Sequence, residues 1–294
     1  MTSSPSVPLD NFDELWFQVG GTLCNLSCHH CFISCRPGND TFRFLDLETV
    51  DKYLKESAEL GVKEYYFTGG EPFLNRDLLP ILERTLAIGP ATVLTNATVL
   101  TDKTIDRLEQ LNRDSRYSLE LRVSIDGYDA EHNDPIRGEG TFDAAMDGVR
   151  RLVGAGFLPI ITIAQTWPEE ESLTVFEGFV KTLNKAGYDR PRLKILPTLH
   201  LGAEVERTRG YEKLERVTDE LLVGFDTSAL LCTRGRIVTD RGVAVCPILI
   251  ESDDAHLGST LADARKPFEL KHGACYTCYQ YGAICSNVGG SGVG

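Results

Sequence analysis

With 294 residues, 32.5 kDa and 42% hydrophobic side chains, the chain can bury a sizeable core, and its composition excludes the disordered and fibrous classes. A net charge of -13 and a pI near 5.0, with no stripe of clustered Lys and Arg, exclude a general nucleic-acid-binding surface, because phosphate neutralisation needs such clusters. The first residues lack a charged segment followed by an apolar one, and no apolar run of about 18 residues occurs, so the expectation is a cytoplasmic protein without a membrane span.

Residues 1–15 read as an N-terminal extension. From Leu15 onward, "ELWFQV", "KEYYFTGG", "ATVLTNA", "LELRVSID", "PIITIA" and "RLKILP" read as strands. Between them "LETVDKYLKESAELG", "RDLLPILERTLAIG", "TDKTIDRLEQL", "TFDAAMDGVRRLVGAG" and "EEESLTVFEGFVKTLNKAG" read as helices. In the first helix Val50, Tyr53, Leu54, Ala58 and Leu60 recur at helical spacing, and Gly61 supplies a stop. Strict alternation predicts parallel strands with right-handed crossovers, hence a doubly wound sheet or a partial barrel. In either, chemistry gathers beyond the C-terminal ends of the strands. After Pro197 the rhythm breaks: "CTRGRIVTDRGVAVCP" reads as a hairpin, followed by the helical pattern "TLADARKPFEL". The expected organisation is an extension over 1–15, a core over 16–197 and a smaller appended domain over 198–294.

Nine cysteines in a reducing compartment point to metal or catalysis before disulfides. Cys24, Cys28 and Cys31, in "CNLSCHHC", sit on the loop directly after the first strand. Three thiolates suit an iron–sulfur cluster that normally takes four, leaving one iron open to bind a substrate or cofactor. Spacing alone leaves open a zinc site completed by His29 or His30, or a set of free thiols. "TGGEP", at 68–72, ends the second strand; its glycines permit close approach to the backbone, and Glu71 adds a carboxylate.

Cysteine loop and glycine motif together resemble the radical S-adenosylmethionine (SAM) enzymes, which carry Cys-x3-Cys-x2-Cys after strand one and "GGEP" after strand two. "LTNATVLTD" and "RVSIDGYDAEHNDPIRGEGTFDAAMDGVRRL" look like the family's third strand and its fourth strand and helix, so the resemblance covers 16–197. It implies an α/β fold, a partial (β/α)6 TIM-like barrel, with a [4Fe–4S] cluster on Cys24, Cys28 and Cys31 and SAM on its open iron. By the same resemblance Gly69, Gly70 and Glu71, followed by Pro72, face the methionine amino group. Ser124 contacts ribose or carboxylate, and Arg137 holds the carboxylate, a task suited to a guanidinium. Asn96 and Asp126 are candidates either for cofactor contact or for shaping turns.

The later cysteines include one close pair, "CYTC", where a zinc ribbon wants two. They resemble the Twitch form of the family's auxiliary domain, a shortened relative of the SPASM domain. This implies a second [4Fe–4S] cluster on Cys232, Cys246, Cys275 and Cys278, with Cys285 as the alternative ligand. Cys35 is either a spare buried thiol or a hydrogen-atom donor to a substrate radical. The implied activity is cleavage of SAM to a 5′-deoxyadenosyl radical, hydrogen abstraction, and oxidation of the substrate radical through the auxiliary cluster. Crosslinking or epimerisation of a peptide is the alternative within the family, and a non-catalytic metal-binding scaffold is the alternative outside it. The implied partners are a flavodoxin- or ferredoxin-type reductant and a small-molecule or peptide substrate.

Overall fold

The computed structural model describes residues 4–282 and 284–286. Its strands fall where β-branched and aromatic residues concentrate. They are β1 (Ser6–Val7), β2 (Glu14–Gly20), β3 (Glu64–Gly69), β4 (Ala91–Thr95), β5 (Leu119–Ser124), β6 (Ile160–Ala164), β7 (Arg192–Leu196), β8 (Gly235–Thr239), β9 (Gly242–Ala244), β10 (His256–Gly258) and β11 (Phe268–Glu269). The strands β2 to β7 lie side by side in chain order, each parallel to the next. Among the described residues β7 has no second neighbour in the sheet, so the barrel is partial and open on that side.

Helices α1 (Leu47–Leu60), α2 (Leu78–Leu86), α3 (Asp102–Asp114), α4 (Ala130–Arg137), α5 (Thr141–Gly154) and α6 (Ser172–Lys185) make the crossovers. The helix α4, "AEHNDPIR", was not separable by periodicity because it presents no apolar stripe. In α1 the Asp46 side chain accepts from Thr49 N–H at 2.8 Å, and Gly61 ends the helix at a φ of 74°. Its buried stripe is Val50, Tyr53, Leu54 and Ser57, whereas Ala58 is exposed. Ser57 replaces the expected apolar contact because its hydroxyl bonds Leu54 O at 2.7 Å and the Tyr65 hydroxyl at 2.9 Å.

The C-terminal hairpin joins the same sheet. Strand β8 runs parallel to β2, with Leu15 opposite Arg236 and Phe17 opposite Val238, and β9 and β10 add antiparallel strands to make nine in all. Every residue of β8 is buried, so the hairpin covers what would otherwise be an exposed edge of β2. The sheet therefore runs through the expected boundary at 197/198, and we retain that division only as a proposal about function. Strands β1 and β11 form a separate antiparallel pair.

Alternation along the strands sets Trp16, Tyr66, Arg122, Thr162 and Lys194 on the concave face. The Trp16 and Tyr66 rings stack with centroids 4.2 Å apart, worth about 0.5–1.5 kcal/mol beyond their burial. Among the described residues no helix is long and apolar enough to cross a membrane.

Candidate active site

The cysteine loop leaves the C-terminal end of β2 and is pinned by the glycine motif that leaves β3. Gly70 N–H donates to Gly21 O at 2.9 Å and Glu71 N–H to Leu23 O at 3.0 Å, extending the parallel pairing past Gly20 and Gly69. A Cβ on Gly70 would lie 2.0 Å from Leu23 O. The glycine thus serves a close approach, and the partner it admits is the backbone of the cysteine loop itself.

Glu71 stands behind the site wall. Its fully buried carboxylate accepts from Phe73 N–H at 3.1 Å, the Thr95 hydroxyl at 2.7 Å and Asn96 N–H at 2.8 Å, tying together the ends of β3 and β4. Burial outweighs these bonds and pushes its carboxyl up to about 7. Pro72, also buried, begins the short 3-10 turn Pro72–Leu74.

Cys24, Cys28 and Cys31 line a cavity of about 240 Å³ together with Gly69, Gly70, Asn96, Ser124, Asp126 and Arg137. Asn96 Nδ2 donates to Asn25 Oδ1 at 2.9 Å and lies 3.8 Å from Cys24 Sγ. Arg137, at the end of α4, sets Nε 2.5 Å from Asp126 Oδ2 and Nη1 4.0 Å from Cys28 Sγ. His30 Nε2 reaches the same Asp126 oxygen at 2.8 Å, while Ala164 N–H donates to Oδ1 at 2.7 Å. Burial alone would raise the Asp126 carboxyl, but Arg137 and His30 prevail and hold it well below the usual carboxylate range. Sequence reasoning offered His30 only as a zinc ligand, and the partnership with Asp126 left no local signal. Cys35 is buried on the cavity wall with its N–H 3.3 Å from Cys31 Sγ. Its hydrogen bond lowers the Cys31 thiol to about 6, whereas burial pushes Cys24 up to about 12.

A second set of thiols lies beside the hairpin. Cys232 precedes β8, Cys246 follows β9, and Cys275 and Cys278 sit in α9 (Gly273–Tyr281). All four line one apolar enclosure of about 30 Å³, walled by Leu231 and Phe268 among others. Burial raises each thiol, Cys232 to about 12. Cys285 lines the first cavity, yet lies close enough to the second set that its charge acts on Cys278 and Cys246 acts on it.

Among the described residues no three His, Cys, Asp or Glu side chains close on a single metal ion. A mononuclear zinc draws its thiolates to about 2.3 Å from one atom, whereas an iron–sulfur cluster spreads them over several irons. Three thiols around one cavity and four around another fit the larger group.

Chemistry-bearing groups gathered past the C-terminal ends of parallel strands are the arrangement of an α/β-barrel enzyme. Residues 19–171 match the radical SAM superfamily, and the chain belongs to it. Membership brings SAM and a SAM-binding [4Fe–4S] cluster. The chain is 30% identical over 163 residues to GTP 3′,8-cyclase of Pectobacterium atrosepticum, covering 54% of this chain and 49% of that one. It thus spans about half the length of the cyclases it matches. It is 26% identical over 299 residues to the mycofactocin maturase MftC of Mycolicibacterium smegmatis, covering 88% of this chain and 74% of that one. Among solved structures, Streptococcus suis SuiB bound to S-adenosylmethionine superposes with a TM-score of 0.62 at 15% identity, covering 83% of this chain and 62% of that one. The enzyme anSMEcpe with bound AdoMet gives 0.61 at 14% identity, covering 85% and 79%. These last two likenesses speak for the fold.

Proposed function

We propose that this chain is a radical SAM enzyme that oxidises a peptide side chain, with a second [4Fe–4S] cluster taking the electron from the substrate radical. The observation that carries this reading is the position of Cys285, which lines the cavity of the three-cysteine loop and adjoins the four buried cysteines. A substrate in that cavity has a route for electrons to the second site. Two similarities favour a peptide. The match to the maturase extends over 88% of this chain, whereas that to the cyclase stops at 54%. Fold neighbours were solved with a precursor peptide, SuiA, on SuiB and with the Cp18Cys peptide on anSMEcpe.

Bound at Cys24, Cys28 and Cys31, cluster and SAM supply a 5′-deoxyadenosyl radical that removes a hydrogen atom from the substrate. In this reading Arg137 binds the SAM carboxylate and Asp126 holds Arg137 in place. Ser124 and Asn96 present polar groups to the same cavity, Gly69 and Gly70 fix the loop, and Glu71 with Pro72 braces it from behind. Cys232, Cys246, Cys275 and Cys278 hold the second cluster, and Cys35, already bonded to Cys31, serves the loop. A flavodoxin- or ferredoxin-type protein delivers the initiating electron.

Anaerobically reconstituted enzyme, given SAM, dithionite and candidate peptides, is expected to form 5′-deoxyadenosine and a peptide lighter by a hydrogen pair. Tandem mass spectrometry separates loss within one residue from a crosslink between two, and an unchanged mass with inverted stereochemistry indicates epimerisation. Absence of SAM cleavage under reducing conditions contradicts the proposal.

A further inference from the structure

The open side of the barrel is closed by residues 284–286. Gly282, at a φ of 77°, turns the chain out of α9, after which Ile284 and Ser286 are buried and Cys285 half-buried. Arg122 on β5 donates to the Cys285 carbonyl, Lys194 on β7 to the Ser286 carbonyl, and Arg234 to the Ser286 hydroxyl at 3.1 Å. Arg122 is 1% exposed, with its guanidinium 5.6 Å over the Tyr66 ring.

The carboxylates nearby are already engaged. Glu14 pairs with Arg234, Glu120 with Arg192 at 2.7 Å, and Glu64 accepts from the Tyr66 hydroxyl at 2.5 Å. The Lys194 ammonium therefore meets a carbonyl where a buried cation is ordinarily matched by a carboxylate. Burial first, and the charge of Arg122 next, push it down to about 8. Replacing neutral carbonyl dipoles by an anion would relieve both groups, because charge-assisted hydrogen bonds are roughly twice as strong as neutral ones. Cys285 lines the cavity and also presents its carbonyl to Arg122, so the cations lie one residue behind the cavity wall.

We propose that Arg122 and Lys194 form an anion subsite, filled at rest by the carbonyls of Cys285 and Ser286 and taken by a carboxylate or phosphate of the substrate when residues 284–286 withdraw. The proposal rests on the functional reading above only in taking the cavity as the substrate's place. Calorimetric titration of the reconstituted full-length enzyme with inorganic phosphate, pyrophosphate and N-acetylglycine tests it without turnover, so a failure of SAM chemistry and a failure here are told apart. Saturable binding is expected for at least one of these probes, weakened at least tenfold in Arg122→Gln and in Lys194→Gln and restored by Lys194→Arg. Binding of N-acetylglycine alone marks the ligand as a carboxylate; binding of the inorganic ions alone marks it as a phosphate. Lack of saturable binding by the parent enzyme, or equal binding by folded Gln variants, overturns the proposal. Should the Gln variants fail to fold, loss of binding in a folded Lys194→Arg enzyme overturns it as well.

Discussion

Arg137 Nε lies 2.5 Å from Asp126 Oδ2, and both side chains are at least nine-tenths buried. One carboxylate thereby fixes a guanidinium at the end of α4 and, through His30, the loop between Cys28 and Cys31. If Arg137 clamps SAM, then Asp126→Asn should act through it. Arg137→Ala and Asp126→Asn are each expected to weaken SAM binding roughly ten- to a hundredfold, the value of a charge-assisted contact, with iron content unchanged. The double variant should be little worse than the poorer single one, as residues acting as a unit behave. Additive losses by titration calorimetry would separate the two roles.

Gly70→Ala should cost the enzyme its first cluster. The added methyl carbon would meet Leu23 O at 2.0 Å, and the cysteine loop must shift to admit it. Purified protein is expected to keep the irons of the second site and to lose about four, the content of one cubane. Full iron content with undiminished SAM cleavage would show that the loop tolerates the shift.

Glu71 sets a pH dependence of stability. Its carboxyl is pushed up to about 7 in the folded chain from an ordinary 4.5, so the folded state holds the proton more tightly than the unfolded one. The contribution is complete below the unfolded value and is lost as pH rises through about 7, amounting to about 3 kcal/mol. Glu71→Gln cannot ionise. Thermal melts of anaerobic holoprotein between pH 5.5 and 8 should therefore fall with pH more steeply for the parent than for the variant. Parallel melting profiles would place the Glu71 proton elsewhere.

Cys285 and the pair in α9 should part company on mutation. Cys285→Ala is expected to leave iron content unchanged, since the four other thiols line the apolar enclosure and Cys285 lines the substrate cavity. Cys275→Ala/Cys278→Ala should lose one cubane and loosen the region around α9, because a metal that gathers distant ligands also contributes to folding. Iron loss on Cys285→Ala, read by colorimetric assay and Mössbauer spectroscopy, would make it a ligand.

The parallel sheet was legible because periodicity of two and of 3.6 alternates strictly along the first two thirds of the chain, and because Gly61 ends α1 as its position suggests. The destination of the hairpin was not, since the choice of β2 as neighbour to β8 joins residues more than two hundred apart and no local pattern records it. The thiols were visible as spacings, but their grouping around two enclosures is a product of folding. Arg122 and Lys194 escaped notice for a different reason: in a strand, a polar residue on the concave face looks like one facing solvent. His30 and Asp126 illustrate the same limit, as a pairing across the barrel mouth leaves no mark in either local sequence.

The most direct test of the account is iron and SAM turnover measured together on one anaerobically reconstituted sample. Two cubanes, one on Cys24, Cys28 and Cys31 and one on Cys232, Cys246, Cys275 and Cys278, require about eight irons per chain, with 5′-deoxyadenosine formed on addition of dithionite and SAM. About four irons with SAM cleavage intact would remove the second cluster and with it the proposed route for electrons. Zinc in place of iron, with no 5′-deoxyadenosine, would contradict the account at its centre.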